Sequence, residues 1–256
     1  MNTKTPIGKT PNLPAILCES VTKTFRTDRG ETTPLKDLSL EIPAGEITAV
    51  IGESGCGKTT LLRLIAGLEK PEAGRIRFTD AAGADAPSPR IGVVFQEHRL
   101  FPWMSVTENI ALAVRKLPEA ERREKVSEAI ELVGLQKWAG AFPRELSGGM
   151  AQRVGLARAL VASPDILLMD EPFGALDALT RHRLYGEFIA IREKRPATTL
   201  LITHDVTEAV LLSRRIHELG DGGLKTTFDV PFPYPRTLST PGVGPLSDRI
   251  LSTFLN

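Results

Sequence analysis

Gly52-Glu53-Ser54-Gly55-Cys56-Gly57-Lys58-Thr59 fits the spacing G-x-x-x-x-G-K-[ST] and follows directly on the apolar run Ile47-Thr48-Ala49-Val50-Ile51. That order matters, because a phosphate cradle needs a strand to fix one end of the loop and a helix N-terminus at the other. Glycines allow backbone angles that a Cβ forbids, so successive N–H groups turn inward toward phosphate oxygens. Lys58 adds a point charge for the β- and γ-phosphates, and the Thr59 hydroxyl is a ligand for Mg²⁺. The helix is predicted to open at about Lys58, to cover one side with Leu61, Leu62, Leu64, Ile65 and Ala66, and to stop at Gly67.

Around this loop the chain alternates strands and helices. Ala15–Phe25, Leu38–Ile42 and Ile47–Ile51 read as strands, and Arg75–Phe78 and Ile91–Phe95 as two more, divided by a loop over Asp80–Pro89. The pattern then turns helical. Ser105-Val106-Thr107-Glu108 is a capping box, and Pro118-Glu119 opens a helix whose Val126, Ala129, Ile130 and Val133 recur at helical spacing up to Gly134. Strands return at Ile166–Met169 and Thr199–Ile202, with a helix from about Leu176 to Lys194 between them. This is the rhythm of a parallel sheet with helical crossovers, bracketing a helical insert at about residues 101–160. Residues 1–14, rich in Pro, Thr and Lys, are expected to be a disordered tail. Residues 229–256 are expected to be a Pro-rich C-terminal tail with a short helix around Ser247–Leu255.

Composition sets outer limits. A chain of 256 residues with 41% hydrophobic and 25% charged residues can bury one large core. A net charge of +1 gives no electrostatic reason to expect nucleic acid, and no run of about 18 apolar residues is present to cross a bilayer. Met1–Pro14 lacks the apolar segment of a signal peptide, so the chain is expected to stay in the cytosol and to meet any membrane through a partner. Only Cys18 and Cys56 are present, and Cys56 lies in the phosphate loop, which argues against a structural disulfide.

Five further segments carry chemistry. Gln96 follows a strand and sits where the carboxyl end of a sheet opens onto a ligand crevice, placing a neutral amide near Mg²⁺ or water. Beyond it, Phe101 and Trp103 stand among charges, either as a protein contact or as anchors of the helical insert. Leu146-Ser147-Gly148-Gly149-Met150 precedes a helical run, so Ser147 and the Gly148 and Gly149 amides form a second anion site almost ninety residues after the first. A single nucleotide has little use for both on one chain; a nucleotide held between two chains explains the pair. Ile166-Leu167-Leu168-Met169-Asp170-Glu171 is an apolar strand ending in two acids. Asp170 suits the Mg²⁺ shell, and Glu171, expected to be extended ahead of Pro172, suits activation of a water for in-line attack on the γ-phosphate. Asp177 is an N-cap, a contact across a dimer, or both. His204, beyond the strand Thr199–Ile202, can reach a γ-phosphate, with Asp205 and Glu208 capping the next helix.

With these segments in this order, the chain over about residues 15–220 resembles the ATP-binding subunit of an ATP-binding cassette (ABC) transporter. In that family they are the Walker A loop, Q-loop, signature, Walker B with its catalytic glutamate, D-loop (Gly174–Asp177) and H-loop. The resemblance implies an α/β fold: a P-loop NTPase (RecA-like) core with an N-terminal antiparallel β subdomain and an inserted α-helical subdomain, over residues 15–228. It implies catalytic roles for Glu171, His204 and Gln96, with Mg²⁺ on Thr59, Gln96 and Asp170. It further implies a head-to-tail dimer in which ATP lies between Gly52–Thr60 of one subunit and Ser147, Gly148, Gly149 and Asp177 of the other, with Phe25 stacked on adenine. The partners implied are a second ATPase subunit, a membrane permease that meets the Q-loop region and, indirectly, a solute-binding protein. They place the chain at the cytoplasmic face of the membrane.

Val94-Phe95-Gln96-Glu97-His98-Arg99-Leu100-Phe101-Pro102-Trp103 and Asp170–Arg181 look more narrowly like the nitrate/sulfonate/taurine group of importers. Met150 stands where many members carry Gln, which leaves the hydroxyl and amides of the signature in place. Rival readings are an exporter motor, a soluble ATPase acting on nucleic acid or ribosomes, and a phosphate-loop kinase. The soluble class usually carries two fused cassettes or a long coiled-coil insertion, and a kinase would leave Ser147–Gly149 without a task.

Overall fold

The computed structural model describes residues 13–27, 30–174 and 176–254. Its first sheet is antiparallel, with β1 (Ala15–Thr27) between β2 (Gly30–Ile42) and, beyond β3 (Ile47–Gly52) and α1 (Lys58–Ile65) in the chain, β4 (Ala73–Thr79). Ile16 lies opposite both Ile42 and Phe78, so its apolar face is continued on either side. β5 (Ile91–Val94) leads to the helical insert of α2 (Val106–Ala111), α3 (Glu119–Leu132) and α4 (Gly148–Leu160). The chain then returns through β6 (Ile166–Asp170), α5 (Ala178–Lys194), β7 (Thr198–Ile202), α6 (Val206–Leu212), β8 (Arg215–Gly220), β9 (Gly223–Asp229) and α7 (Val243–Phe254). The second sheet has the order β5-β6-β7-β3-β8-β9. It is parallel except where β9 folds back on β8, which puts β3 and its phosphate loop near the middle of the carboxyl edge.

The parallel strands read as continuous apolar runs because both faces are covered. Ala49, Ile51, Leu167, Met169 and Leu201 join one core with the helical insert and α7, while Val50, Ile166, Leu168, Leu200 and Ile202 join a second core with α1 and the first sheet. Each fully buried Leu or Ile contributes about 1.5–3 kcal/mol relative to exposure. The Ser105 capping box forms as read: the Ser105 hydroxyl accepts from Glu108 N (3.3 Å) and Glu108 Oε2 accepts from Ser105 N (2.7 Å). Gly67 and Gly134 both take positive φ (+69° and +70°) just past α1 and α3. Cys18 and Cys56 are unbridged.

The structure departs from expectation at the edges of the chain. β2 begins at Gly30, eight residues earlier than read, because its first half is exposed on an edge strand where Glu31, Thr32, Thr33 and Pro34 are tolerated. The Gly-rich stretch His217–Phe228 is the β8–β9 hairpin, turned by Asp221 and Gly222 at φ +50° and +81°, an Asp-Gly pair of the kind that favours tight hairpins. Of the expected N-terminal tail, residues 1–12 lie outside the described residues. Leu13 is buried, and the Thr198 hydroxyl donates to Pro14 O (2.6 Å). The segment after Asp229 is packed rather than loose. Val230, Val243, Leu246 and Ile250 are in the core, the Tyr234 hydroxyl donates to Leu212 O (2.5 Å), and Arg236 Nη1 donates to Val210 O (2.7 Å) and Ser213 O (2.6 Å). The alternating apolar positions of that segment were masked by its prolines.

Candidate nucleotide-binding site

Two glycines of the phosphate loop have no room for a side chain. A Cβ on Gly57 (φ +104°), the N-cap of α1, would come within 2.4 Å of Pro34 O, and one on Gly52 (φ +151°) within 2.4 Å of Leu219 O. The loop closes around Lys58, which is buried, its Nζ donating to Gly52 O and Glu53 O (both 2.8 Å) and lying 3.8 Å from Cys56 Sγ. Among the described residues no carboxylate forms an ion pair with it; loop carbonyls hold it, and the Asp170 carboxyl is within electrostatic reach. Ser54, Gly55, Gly57, Lys58, Thr59, Thr60, Glu171 and His204 line a cleft of about 400 Å³ there. Gly52, Glu53 and Cys56 hold Lys58 from behind rather than lining the cleft.

Asp170 ends β6 and accepts from the Thr59 hydroxyl (3.3 Å). Burial pushes its carboxyl above the usual carboxylate range; the Thr59 hydrogen bond opposes this and the Glu171 charge adds to it. A desolvated carboxylate and a hydroxyl are hard oxygen donors that fit Mg²⁺, which takes few protein ligands and fills its shell with water and phosphate oxygens. Gln96 Nε2 donates to Glu171 Oε2 (3.1 Å). His204 Nδ1 meets the same oxygen at 3.1 Å.

Glu171 is not extended ahead of Pro172, as its sequence position suggests; its φ is +43°. Glu171 N continues the sheet ladder to Ile202 O (2.9 Å), and Glu171 O accepts from Gly174 N (3.2 Å), so the residue is held in a conformation that costs about 1–3 kcal/mol. That turn swings the carboxylate from the strand end into the cleft between Gln96 and His204. The cap on α6 also differs in part: Asp205 accepts from Glu208 N (3.0 Å), while the Glu208 side chain is buried against Tyr185 instead of reaching back.

Ser147 and its glycines occupy a different cleft of about 380 Å³, whose walls include Ser147, Gly148, Gly149, Met150, Arg153, Asp177, Thr180 and Arg183. None of its lining residues belongs to the first cleft. Ser147 caps α4, accepting from Met150 N (3.3 Å), and Asp177 caps α5, accepting from Thr180 N (3.0 Å), a bond that holds its carboxyl below the usual range. A Cβ on Gly149 would come within 2.9 Å of Thr180 Cγ2, so this glycine also lets α4 approach α5. Trp138, Arg153 and Arg183 were not singled out from sequence. Thr180 and Arg183 follow Asp177 at three-residue spacing, which places them on its face of α5 and was the available signal for Arg183.

Phe25 is on β1, with Lys23 Nζ 5.1 Å from its ring centroid, and is not among the residues lining the first cleft. Phe101 and Trp103 are exposed (41% and 68%) and meet edge to face at 5.4 Å, so neither anchors the core of the insert. Asn109, fully buried, fixes the loop that carries them by bonding Phe101 N and O and Met104 O.

A parallel sheet whose central strand delivers a glycine loop and a buried lysine to its carboxyl edge, with an acid pair at the end of another strand, belongs to the phosphate-loop nucleotide-binding class. Within that class the ABC transporter family matches residues 35–174, and the chain belongs to that family. Its relatives include the aliphatic sulfonates import ATP-binding protein SsuB of Bacillus subtilis, 43% identical over 234 residues that cover 91% of each chain. The nitrate import ATP-binding protein NrtD of Synechococcus elongatus is 43% identical over 85% of this chain and 82% of its own. The bicarbonate transport ATP-binding protein CmpC of Synechococcus elongatus is 49% identical over 86% of this chain, which spans 34% of the length of that relative. Among solved structures, the dimeric bacterial ABC transporter cassette MJ0796 superposes with a TM-score of 0.73 at 32% identity, over 85% of this chain and all of that one. Its post-hydrolysis state bound to ADP and Pi matches with the same TM-score at 31% identity.

Proposed function

We propose that this chain binds and hydrolyses ATP as the motor subunit of an importer for a small anion such as nitrate, an alkanesulfonate or taurine. The observation that carries the reading is the division of the site: Lys58, Glu171 and His204 line one cleft, while Ser147 and its glycine amides line another. Two copies placed head to tail bring the second cleft of one to the first cleft of the other. Relatives named for sulfonate and nitrate import favour uptake over export.

In this scheme the loop amides and Lys58 hold the β- and γ-phosphates, and Thr59 and Asp170 hold Mg²⁺, which when bound neutralises charge on the phosphates. Glu171 accepts the proton of the attacking water as its oxygen bonds to the γ-phosphorus and the bond to the bridging oxygen breaks, leaving ADP and phosphate. Gln96 and His204 orient that carboxylate from two sides. Ser147 and the Gly148 and Gly149 amides of the second copy complete the grip on the γ-phosphate. A separate permease holds the chain at the cytoplasmic face, with the exposed Phe101 and Trp103 toward it. A solute-binding protein delivers cargo to that permease.

The test is reconstitution with the permease that copurifies with the chain. ATP turnover is expected to rise when a solute-binding protein loaded with a small anion is added on the outside. Turnover that ignores the binding protein while cargo leaves the cytoplasmic side would assign export instead.

A further inference from the structure

Between the two clefts lies a polar cluster that neither site absorbs. Arg181, in the first turn of α5, donates from Nη2 to Leu176 O and from Nη1 to Asp205 Oδ2, both at 3.0 Å. Leu176 lines the second cleft and immediately precedes Asp177. Asp205 immediately follows His204 and caps α6. One guanidinium therefore ties the turn that builds the second cleft to the turn that carries the histidine of the first.

The fork of Arg181 commits both Nη atoms to Leu176 and Asp205, and Arg181 Nε is buried without a hydrogen bond. Buried donors are almost always satisfied, so the bridge keeps one uncommitted donor in reserve. Glu208, 2% exposed and bonded through Oε2 to the Tyr185 hydroxyl (3.1 Å), packs within electrostatic reach of the same guanidinium.

We propose that Arg181 is a positioning residue that couples the Leu176–Asp177 turn to His204, so that contact made at the second cleft resets the His204–Glu171 hydrogen bond in the first. The inference rests on the hydrolytic reading above, and its test separates the two. Turnover of the full-length chain with Mg-ATP is measured for Arg181→Lys, His204→Ala and the double variant. Lysine keeps the charge but lacks the fork that spans Leu176 O and Asp205. Arg181→Lys is expected to lower kcat about tenfold with the KM for ATP within about twofold. The double variant is expected to be no slower than His204→Ala alone, as when one residue acts through another. Losses that simply add, or wild-type kcat in Arg181→Lys, would overturn the coupling, because a merely structural arginine gives additive losses. Should Arg181→Lys fail to fold, Asp205→Asn, which retains the helix cap and weakens the same ion pair, replaces it in the cycle. Unchanged turnover in His204→Ala alone removes the catalytic role of His204, and the coupling with it.

Discussion

The two clefts are of similar size but opposite construction. The first is built from charged and reactive side chains locked against one another: Lys58 on loop carbonyls, Thr59 on Asp170, and Glu171 between Gln96 and His204. The second is built from helix caps and small residues, where Ser147, Gly148, Gly149 and Asp177 offer amides, a hydroxyl and an exposed carboxylate. In the proposed two-copy site the second cleft of one chain closes the first cleft of the other.

The largest expected effect falls on the first cleft. Lys58→Ala removes a buried charge aimed at phosphates, and a loss of about 2–5 kcal/mol is typical for such a partner, about thirtyfold to several thousandfold in ATP affinity. Isothermal titration with ATP checks this, and unchanged affinity would remove the loop from its role as the cradle. Glu171→Gln is expected to bind ATP normally, to lose about 10²–10⁴-fold in turnover as a general-base deletion does, and to accumulate as a dimer on gel filtration with ATP. Near-normal turnover would take the proton-accepting role away from Glu171.

Replacing Ser147 by Arg separates the two clefts, because it blocks the second and leaves the first intact. That chain is expected to retain ATP binding as a monomer and to hydrolyse poorly. Mixed with Lys58→Ala chains, whose second cleft is intact, it should regain turnover that neither variant shows alone. No regain in the mixture would mean that the two clefts do not meet across copies.

The smallest effect concerns stability behind the clefts. Burial raises the Glu208 carboxyl from its ordinary 4.5 to about 8, with the Tyr185 hydrogen bond opposing the shift. The folded chain therefore keeps a proton that the unfolded chain gives up, and the stabilisation is lost as pH rises through the folded value. His217, whose buried imidazole is held below its ordinary 6.5, acts with the opposite sign but only at lower pH. Between about pH 7 and 8 the melting temperature is expected to fall, and Glu208→Gln should flatten that fall. A slope unchanged in the variant would show that Glu208 is not the titrating group.

Much of the first cleft was readable in the chain. Glycine spacing, a basic residue and a hydroxyl after an apolar strand, and two acids at the end of another are local patterns with local causes. Partnerships across the sheet were not local. Gln96, Glu171 and His204 come from different segments, and nothing in their spacing says that two of them grip one carboxylate oxygen. Pro172 even argued for an extended Glu171, a preference that the ladder bond to Ile202 overrides. Phe25, which the resemblance put on adenine, stands beside Lys23. At the C-terminus, Pro231, Pro233 and Pro235 suggested a tail, whereas Tyr234 and Arg236 bond the last carbonyls of α6 and its following turn, and α7 buries Val243 and Ile250.

Residue order along the chain was enough for the phosphate loop, the strand-helix alternation and the caps at Ser105, Ser147 and Asp177, because each depends on residues a few positions apart competing for the same backbone groups. Packing was needed to set the serine-glycine turn on a separate cleft, to turn Glu171 off its strand, and to place Arg181 between Leu176 and Asp205. Those outcomes depend on which distant carbonyls and carboxylates the packed sheet leaves within hydrogen-bond reach, and no spacing along the chain encodes that distance.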